Sequence, residues 1–305
     1  MWTPDDVDIR IIRMLASPKS FQWDVRIPYS DVAATLDIDE ETVRNRLDIM
    51  ERTKFLRGWQ LVLNPALLGC ESAIVELAVH TSEAKATAIS RLKLVSGVMF
   101  VDDFYGRDLA VTTLFENASG LQSQVDLFSS LCRCPAPVAW KLAFPPCTLE
   151  PSHTDWRIIQ VLRRSGRASV SDVARDLALS TRTVHRRLNE LVDGNAFYLD
   201  PLLDLSNVGG VRCRVWTTCE PSRKRAIDEQ ILSMFKRVIS THTAPPTNSL
   251  FVSHLSNVGE VQEVLKWVRG LDGVIEAHAA IEVDHIHVKD WVEREIDKRL
   301  VLRAA

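Results

Sequence analysis

The chain repeats itself. Residues 30–50 read SDVAATLDIDEETVRNRLDIM and residues 171–191 read SDVARDLALSTRTVHRRLNEL, identical at 9 of 21 positions at a constant offset of 141. Upstream, Asp8, Arg10, Ile11 and Ile12 align with Asp155, Arg157, Ile158 and Ile159 at an offset of 147, and downstream Gly69 aligns with Gly210, again at 141. The difference of six falls in SPKSFQWDVRIPYS, a longer connection in the first copy. A fixed offset over separate segments is the mark of a duplicated unit. Its junction is the proline-rich stretch Pro145-Pro146-Cys147-Thr148-Leu149-Glu150-Pro151.

Each copy opens with three short helical patterns. Ile11, Ile12 and Leu15 share one helical face, as do Ile158, Ile159 and Leu162. Thr3-Pro4 suits a first cap and turn. Ser30 and Ser171 are expected to cap the second helix, and Asp39 and Ser180 the third. In the third, Val43, Leu47 and Met50, or Val184, Leu188 and Leu191, recur at i, i+4 and i+7. Two short helices joined by a tight turn, the second well capped, form a helix-turn-helix. Beyond the first helical unit the chain reads as strands over 71–79, 97–104, 107–115 and 136–144 with helices over 83–95 and 119–132, the order βαββαβ. The second copy repeats this with strands at 211–219, 237–243, 249–255 and 273–283, helices at 221–236 and 258–269, and a charged helix at 289–302. The expected fold is α+β, two winged helix-turn-helix domains (1–60 and 147–205) alternating with two ferredoxin-like domains (61–146 and 206–305) packed sheet against sheet.

Asp8, Ile11, Ile12, Asp31, Val32, Ala33, Leu36, Thr42, Val43, Arg46 and Leu47 form a pattern that resembles the Lrp/AsnC family, and Gly58-Trp59-Gln60-Leu61-Val62-Leu63-Asn64-Pro65 is similar to its linking strand. The resemblance implies a transcription regulator of the bacterial or archaeal kind, assembled through its ferredoxin-like domains and open to a small effector such as an amino acid. A fused pair implies that one chain supplies the pseudo-symmetric dimer, with further homodimerisation open to it. The family's turn before the third strand is here Gly106-Arg107-Asp108, and its counterpart, Ala244-Pro245-Pro246-Thr247-Asn248, has no glycine. Tyr105, Arg107 and Asp108 are the effector candidates, although an Arg beside an Asp is also an ordinary ion pair.

Local charge indicates which copy reads DNA, because the duplex carries one phosphate charge per ~1.7 Å of axis. The chain as a whole has a net charge of −3, so only a local basic face can serve. Residues 39–52 hold three arginines against five carboxylates, a net of −2, whereas residues 180–192 hold three against one, a net of +2. Thr181, Arg182, His185 and Arg186 are therefore the expected base-reading residues, supported by Arg163, Arg164 and Arg167 and, from the first copy, Arg44. Glu40 and Glu41 either complement the helix dipole or repel phosphate, which would leave the first copy a partner-binding module.

Enzymatic signatures are sparse. There is no GxGxxG, Walker loop, GxSxG or HExxH. Asp284-His285-Ile286-His287 puts two imidazoles on one strand face with His278 upstream, but a zinc site takes three or four ligands, so these read as strand-end histidines. Cys132-Arg133-Cys134 has the wrong spacing for a zinc knuckle. The six cysteines form no CxxC and read as reduced thiols, and neither a membrane span nor a leader pattern is present, so a cytoplasmic protein is expected. Two alternatives stay open. Siroheme decarboxylases also combine Lrp-like helix-turn-helix and ferredoxin-like units and use basic and histidine residues around the hairpin between the second and third strands; Phe104–Val111 offers Tyr105 and Arg107 there but no histidine. The other is a non-catalytic adaptor. The expectation carried forward is a regulator of double-stranded DNA without enzymatic activity, metal or cofactor.

Overall fold

The computed structural model describes residues 2–16, 27–135, 137–204 and 208–302. Most of the longer connection expected in the first copy, residues 17–26, lies outside the described residues. The chain runs α1 (Asp6–Ala16), α2 (Tyr29–Leu36), α3 (Glu40–Arg52) and β1 (Leu56–Leu63), then β2 (Glu71–Ala78), α4 (Lys85–Leu92), β3 (Val98–Phe104), β4 (Asp108–Phe115), α5 (Ala118–Cys132) and β5 (Val138–Leu142). It continues with α6 (His153–Arg164), α7 (Val170–Leu177), α8 (Thr181–Asp193) and β6 (Phe197–Leu203). Last come β7 (Val211–Cys219), α9 (Lys224–Met234), β8 (Val238–Ala244), β9 (Asn248–Leu255), α10 (Val258–Arg269), β10 (Val274–His287) and α11 (Asp290–Leu302). The protein is a mixed α+β molecule with a helix-turn-helix, and no described helix is long and apolar enough to cross a membrane.

In both three-helix units the periodic apolar residues are the buried ones: Ile11, Ile12, Leu15, Val43, Leu47 and Met50, then Ile158, Ile159, Leu162, Val184, Leu188 and Leu191. The turn before each third helix passes through a left-handed residue, Asp37 (φ 57°) or Ala178 (φ 54°), at a cost of ~1–2 kcal/mol outweighed by the packing around it. Asp39 and Ser180 cap as expected, accepting from the Thr42 and Thr183 amides. Other caps differ. Asp5 caps α1 by exchanging backbone–carboxylate hydrogen bonds with Asp8, which leaves Thr3-Pro4 outside the helix. Ser30 and Ser171 fall inside the first turn, behind Pro28 and Ser169. The recurrent arginine of the third helix is structural: Arg46 lies 2.8 Å from both Asp5 and Asp8, and Arg187 lies 3.2 Å from Glu190 and 3.6 Å from Asp155.

Eight strands form one antiparallel sheet in the order β5-β2-β4-β3-β10-β7-β9-β8. Two separate sheets packed face to face are expected from the sequence; the strands instead form one continuous sheet, because β10 runs on to His287. Its first part, Val274–Ile281, pairs with β7, and Glu282–His287 pairs with β3. The far edges meet where the Ala143 amide donates to the Thr243 carbonyl at 2.7 Å, so the sheet curls round. Helices α4 and α5 cover Val75, Val101 and Val111 on the outside, and α9 and α10 cover Val215 and Phe251. Inside, Ile74, Phe104 and Trp140 meet Trp216 and Leu250.

The helical units cross over. The first shares its core with Ile239 of β8, and Arg237 binds Asp6 and the Pro4 carbonyl. The second shares its core with Phe100 and Leu114 and with Val292 and Ile296 of α11. Strands β1 and β6 join the units as a separate two-stranded ribbon, with Gln60 opposite Asp200 and Val62 opposite Tyr198.

Arg46→Ala leaves Asp8 buried beside a second carboxylate and is expected to cost about 3 kcal/mol; Arg187→Ala costs less, since Ser152 also binds Asp155. Urea unfolding measures both. Burial and the neighbouring Arg237 lower His254 to about 4. The fold holds it neutral, so its contribution is complete above about pH 6.5 and is lost as pH falls through about 4. Thermal melts should lose stability over that window, less steeply in His254→Gln.

Candidate functional site

Two surfaces carry chemistry. The first is the outward face of α8. Thr181, Arg182, His185 and Arg186 lie in its capped, N-terminal half, and Thr181, Arg182, His185 and Arg186 all face solvent at least in part. Arg186 makes an exposed pair with Glu190 at 2.6 Å, and Arg182 and His185 have no ion pair among the described residues. The supporting arginines divide. Arg164 is exposed. Arg163 is turned inward, binding Glu293 of α11 at 2.7 Å and the Leu61 carbonyl, which removes it from any phosphate. Arg167 lies over the Tyr29 and Trp59 rings and donates to the Ile27 carbonyl. Arg44 lies over the same Tyr29 ring and pairs with Glu40. Arg44 and Arg167 thus clasp the two helical units together.

The effector candidates are not assembled into one site. Tyr105 is 80% exposed and Arg107 donates to the His80 carbonyl, both at a hairpin tip where Gly106 takes φ 88°. Asp108 borders a cavity of about 250 Å³ with Glu76, Phe104, Trp216 and His278. His278 stacks on Trp216 and lies 3.3 Å from Glu76.

The second surface is the inner face of the sheet near the ribbon, where strands distant in sequence converge. Arg214 of β7 binds Asp102 of β3 and, at 2.9 Å, Glu282 of β10; Arg212 binds Glu282 at 3.1 Å. All four are buried. His285 donates from Nδ1 to Asp102, while its Nε2 lies 3.5 Å from Asp200 of β6. His287 Nε2 lies 3.9 Å from the same carboxylate. Phe100 stacks on His285 and meets His287 edge-on. Outward, a cavity of about 640 Å³ is lined by Arg57, Asp204, Arg212, Glu282 and His285 among others.

Burial and pairing oppose each other here. Burial would lower His285, but the Asp102 carboxylate and the hydrogen bonds to Asp102 and Asp200 raise it to about 9. Burial would raise Asp200, but His285 holds it at about 2. Burial, with Arg214 beside one and His285 beside the other, lowers His242 and His287 to about 4. Strand spacing placed His285 and His287 together but did not reveal Asp102, Asp200, Arg212, Arg214 and Glu282. The signal for them was charge on alternate residues of strongly apolar strands, as in Val211-Arg212-Cys213-Arg214-Val215; in such a strand those residues face a second protein layer.

Residues 152–192 match the AsnC-type helix-turn-helix domain. No protein of curated function matches the sequence. Among solved structures, the siroheme decarboxylase NirDL superposes with a TM-score of 0.60 at 14% identity, covering 99% of this chain and 100% of its own. NirDL in complex with an iron-uroporphyrin III analogue gives 0.59 at 14%, with the same coverage. LrpC of B. subtilis matches at 0.37 and 16% identity, over 46% of this chain and all of its own. The chain is thus a helix-turn-helix protein whose whole length has the fold of a known enzyme. That corrects the expectation of a chain without enzymatic activity: the full-length structural likeness is to an enzyme.

Arg214→Met takes one partner from each of two buried carboxylates, leaving Asp102 to His285 and Glu282 to Arg212, and is expected to cost about 3 kcal/mol. Arg57→Met, at the exposed pair with Asp204, should cost about 1 kcal/mol or less. Paired urea titrations test the contrast.

Proposed function

We propose that the protein is a sequence-specific DNA-binding regulator of the Lrp/AsnC type whose principal reading element is α8. The observation that carries this is the Thr181, Arg182, His185 and Arg186 face within the segment matching an AsnC-type helix-turn-helix domain. Its capped N-terminus and positive charge suit a phosphate-lined groove, and arginine can pair in bidentate fashion with guanine O6 and N7. The internal repeat and the recurring element order support a duplicated chain, with helix-turn-helix units in residues 1–60 and 147–205 and βαββαβ units in 61–146 and 206–305. Such a protein works in the cytoplasm and is open to homodimerisation. A small effector fits the 250 Å³ cavity best, where Glu76 and Asp108 favour an amino group and Phe104 and Trp216 supply apolar walls.

A second reading is a tetrapyrrole-directed decarboxylase like the enzyme whose fold the chain shares. The inner-face arginines and histidines favour it, since carboxylate substrates are gripped by such groups. Against it, Arg212 and Arg214 are already paired with protein carboxylates, so neither is free to grip a substrate carboxylate, and the DNA-binding reading takes precedence.

Binding to fragmented genomic DNA across a salt series separates the two. Enriched sites should bind Arg182→Ala/Arg186→Ala more weakly, by roughly 5- to 150-fold per lost guanine contact, because each is worth ~1–3 kcal/mol. Absence of binding at low salt overturns the regulator; carbon dioxide release from siroheme, followed by mass spectrometry, would establish the decarboxylase.

A further inference from the structure

We infer that Asp200, His285 and His287 form a binding site for one divalent first-row transition-metal ion at the junction of the β1–β6 ribbon and the sheet. One ligand atom from each residue lies within 4.8 Å of the other two. The carboxylate oxygen of Asp200 is 3.5 Å from His285 Nε2 and 3.9 Å from His287 Nε2. Zinc binds nitrogen and carboxylate oxygen at ~2.0–2.2 Å, which at tetrahedral angles puts ligand atoms about 3.4 Å apart. On the two edges that meet at Asp200, the atoms therefore need to close by only a few tenths of an ångström to hold an ion between them.

The surroundings are those of a ligand set. The Nδ1–H of His285 donates to the buried Asp102 carboxylate, which leaves Nε2 aimed at Asp200. A carboxylate behind a ligating histidine orients the ring and strengthens it as a donor. Phe100 fixes both imidazoles from one side, stacked on His285 and edge-on to His287, each at 5.0 Å between ring centres. The rings themselves are 4.6 Å apart and nearly perpendicular, at 77°. An ion bound here displaces the Nε2 proton of His285 to solvent; with that imidazole neutral, Asp102, Asp200 and Glu282 outnumber Arg212 and Arg214 by one.

The site is reachable. Side-chain exposures of 11–17% leave a narrow opening, and His285 also borders the 640 Å³ cavity. Three protein ligands leave a fourth position for water or a small anion on that side. Two imidazoles with one carboxylate suit zinc, iron(II) or cobalt(II) better than magnesium or calcium, which prefer all-oxygen sets. The pair His285-Ile286-His287 supplies only two ligands in sequence; the third arrives from β6, 85 residues earlier.

The test uses the full chain, freed of any tag and stripped with chelator, titrated with Co2+ and then Zn2+. The expected result is one Co2+ per chain with the intense visible bands of four-coordinate cobalt, displacement by Zn2+, and a raised melting temperature. Asp200→Asn and His287→Ala should each weaken binding by at least about tenfold, since loss of an outer-shell partner alone costs 10–100-fold. His153→Ala, on the first turn of α6, should leave it unchanged. Wild-type protein supplies a readout independent of variant folding: bound Zn2+ should protect His287, which is neutral in the metal-free protein, from diethyl pyrocarbonate, read by peptide mass. Failure of the folded wild type to bind either ion, binding retained in both ligand variants, or modification undiminished by Zn2+ overturns the site. None of these outcomes depends on DNA binding.

Discussion

Everything in the molecule hangs on β10 and on the arginine that locks it in register. Its fourteen residues are shared between the two halves of the sheet, so the halves are neither separate layers nor separable bodies. Where the strand passes from β7 to β3, Arg214 binds Asp102 on one neighbour and Glu282 on β10 itself. Taking an arginine out of water costs several kcal/mol, and only two well-placed carboxylates offset it. The reward is specificity: a one-residue slip of β10 would turn Glu282 to the opposite face and leave Arg214 without that partner.

That shared strand also sets the posture of the helical units. The first unit packs on β8 and the second on β3 and β4, so each rests on the half of the sheet that the other copy supplies. The β1–β6 ribbon and the Tyr29 clasp with Arg44 and Arg167 then fix the units to one another. Helix α11 completes the arrangement: Val292 and Ile296 are buried against α6, worth about 1.5–3 kcal/mol each, and Glu293 draws Arg163 inward. The same contacts that hold α8 steady as a reading helix remove an arginine from its basic face.

The same architecture accommodates more than one function. A whole-length likeness to a siroheme decarboxylase is a statement about fold, and fold alone does not select a chemistry. Chemistry is selected by what lines each surface: a positive, solvent-facing helix start at α8, an acidic aromatic cavity at Asp108 and Trp216, and a histidine–carboxylate cluster at the ribbon. Asp200 belongs to the strand that comes after α8 in the chain, so the cluster is tied through β6 to the helix proposed to read DNA.

Local patterns were legible in the sequence because helices and strands answer to their own periodicity. Val43, Leu47 and Met50, and their partners in the second unit, are buried on the i, i+4, i+7 face, and Asp39 and Ser180 cap where a helix needs an acceptor. The outward face of α8 came from the same spacing. The caps at Asp5 and Ser169 lie two residues from Thr3 and Ser171, because several polar residues compete at each helix start. What only the tertiary structure decided is everything made across long separations: the continuation of β10 into the other half of the sheet, the inward turn of Arg163 onto α11, and the meeting of Asp200 with His285 and His287. No periodicity encodes these contacts, because each partner's position depends on how already formed elements pack.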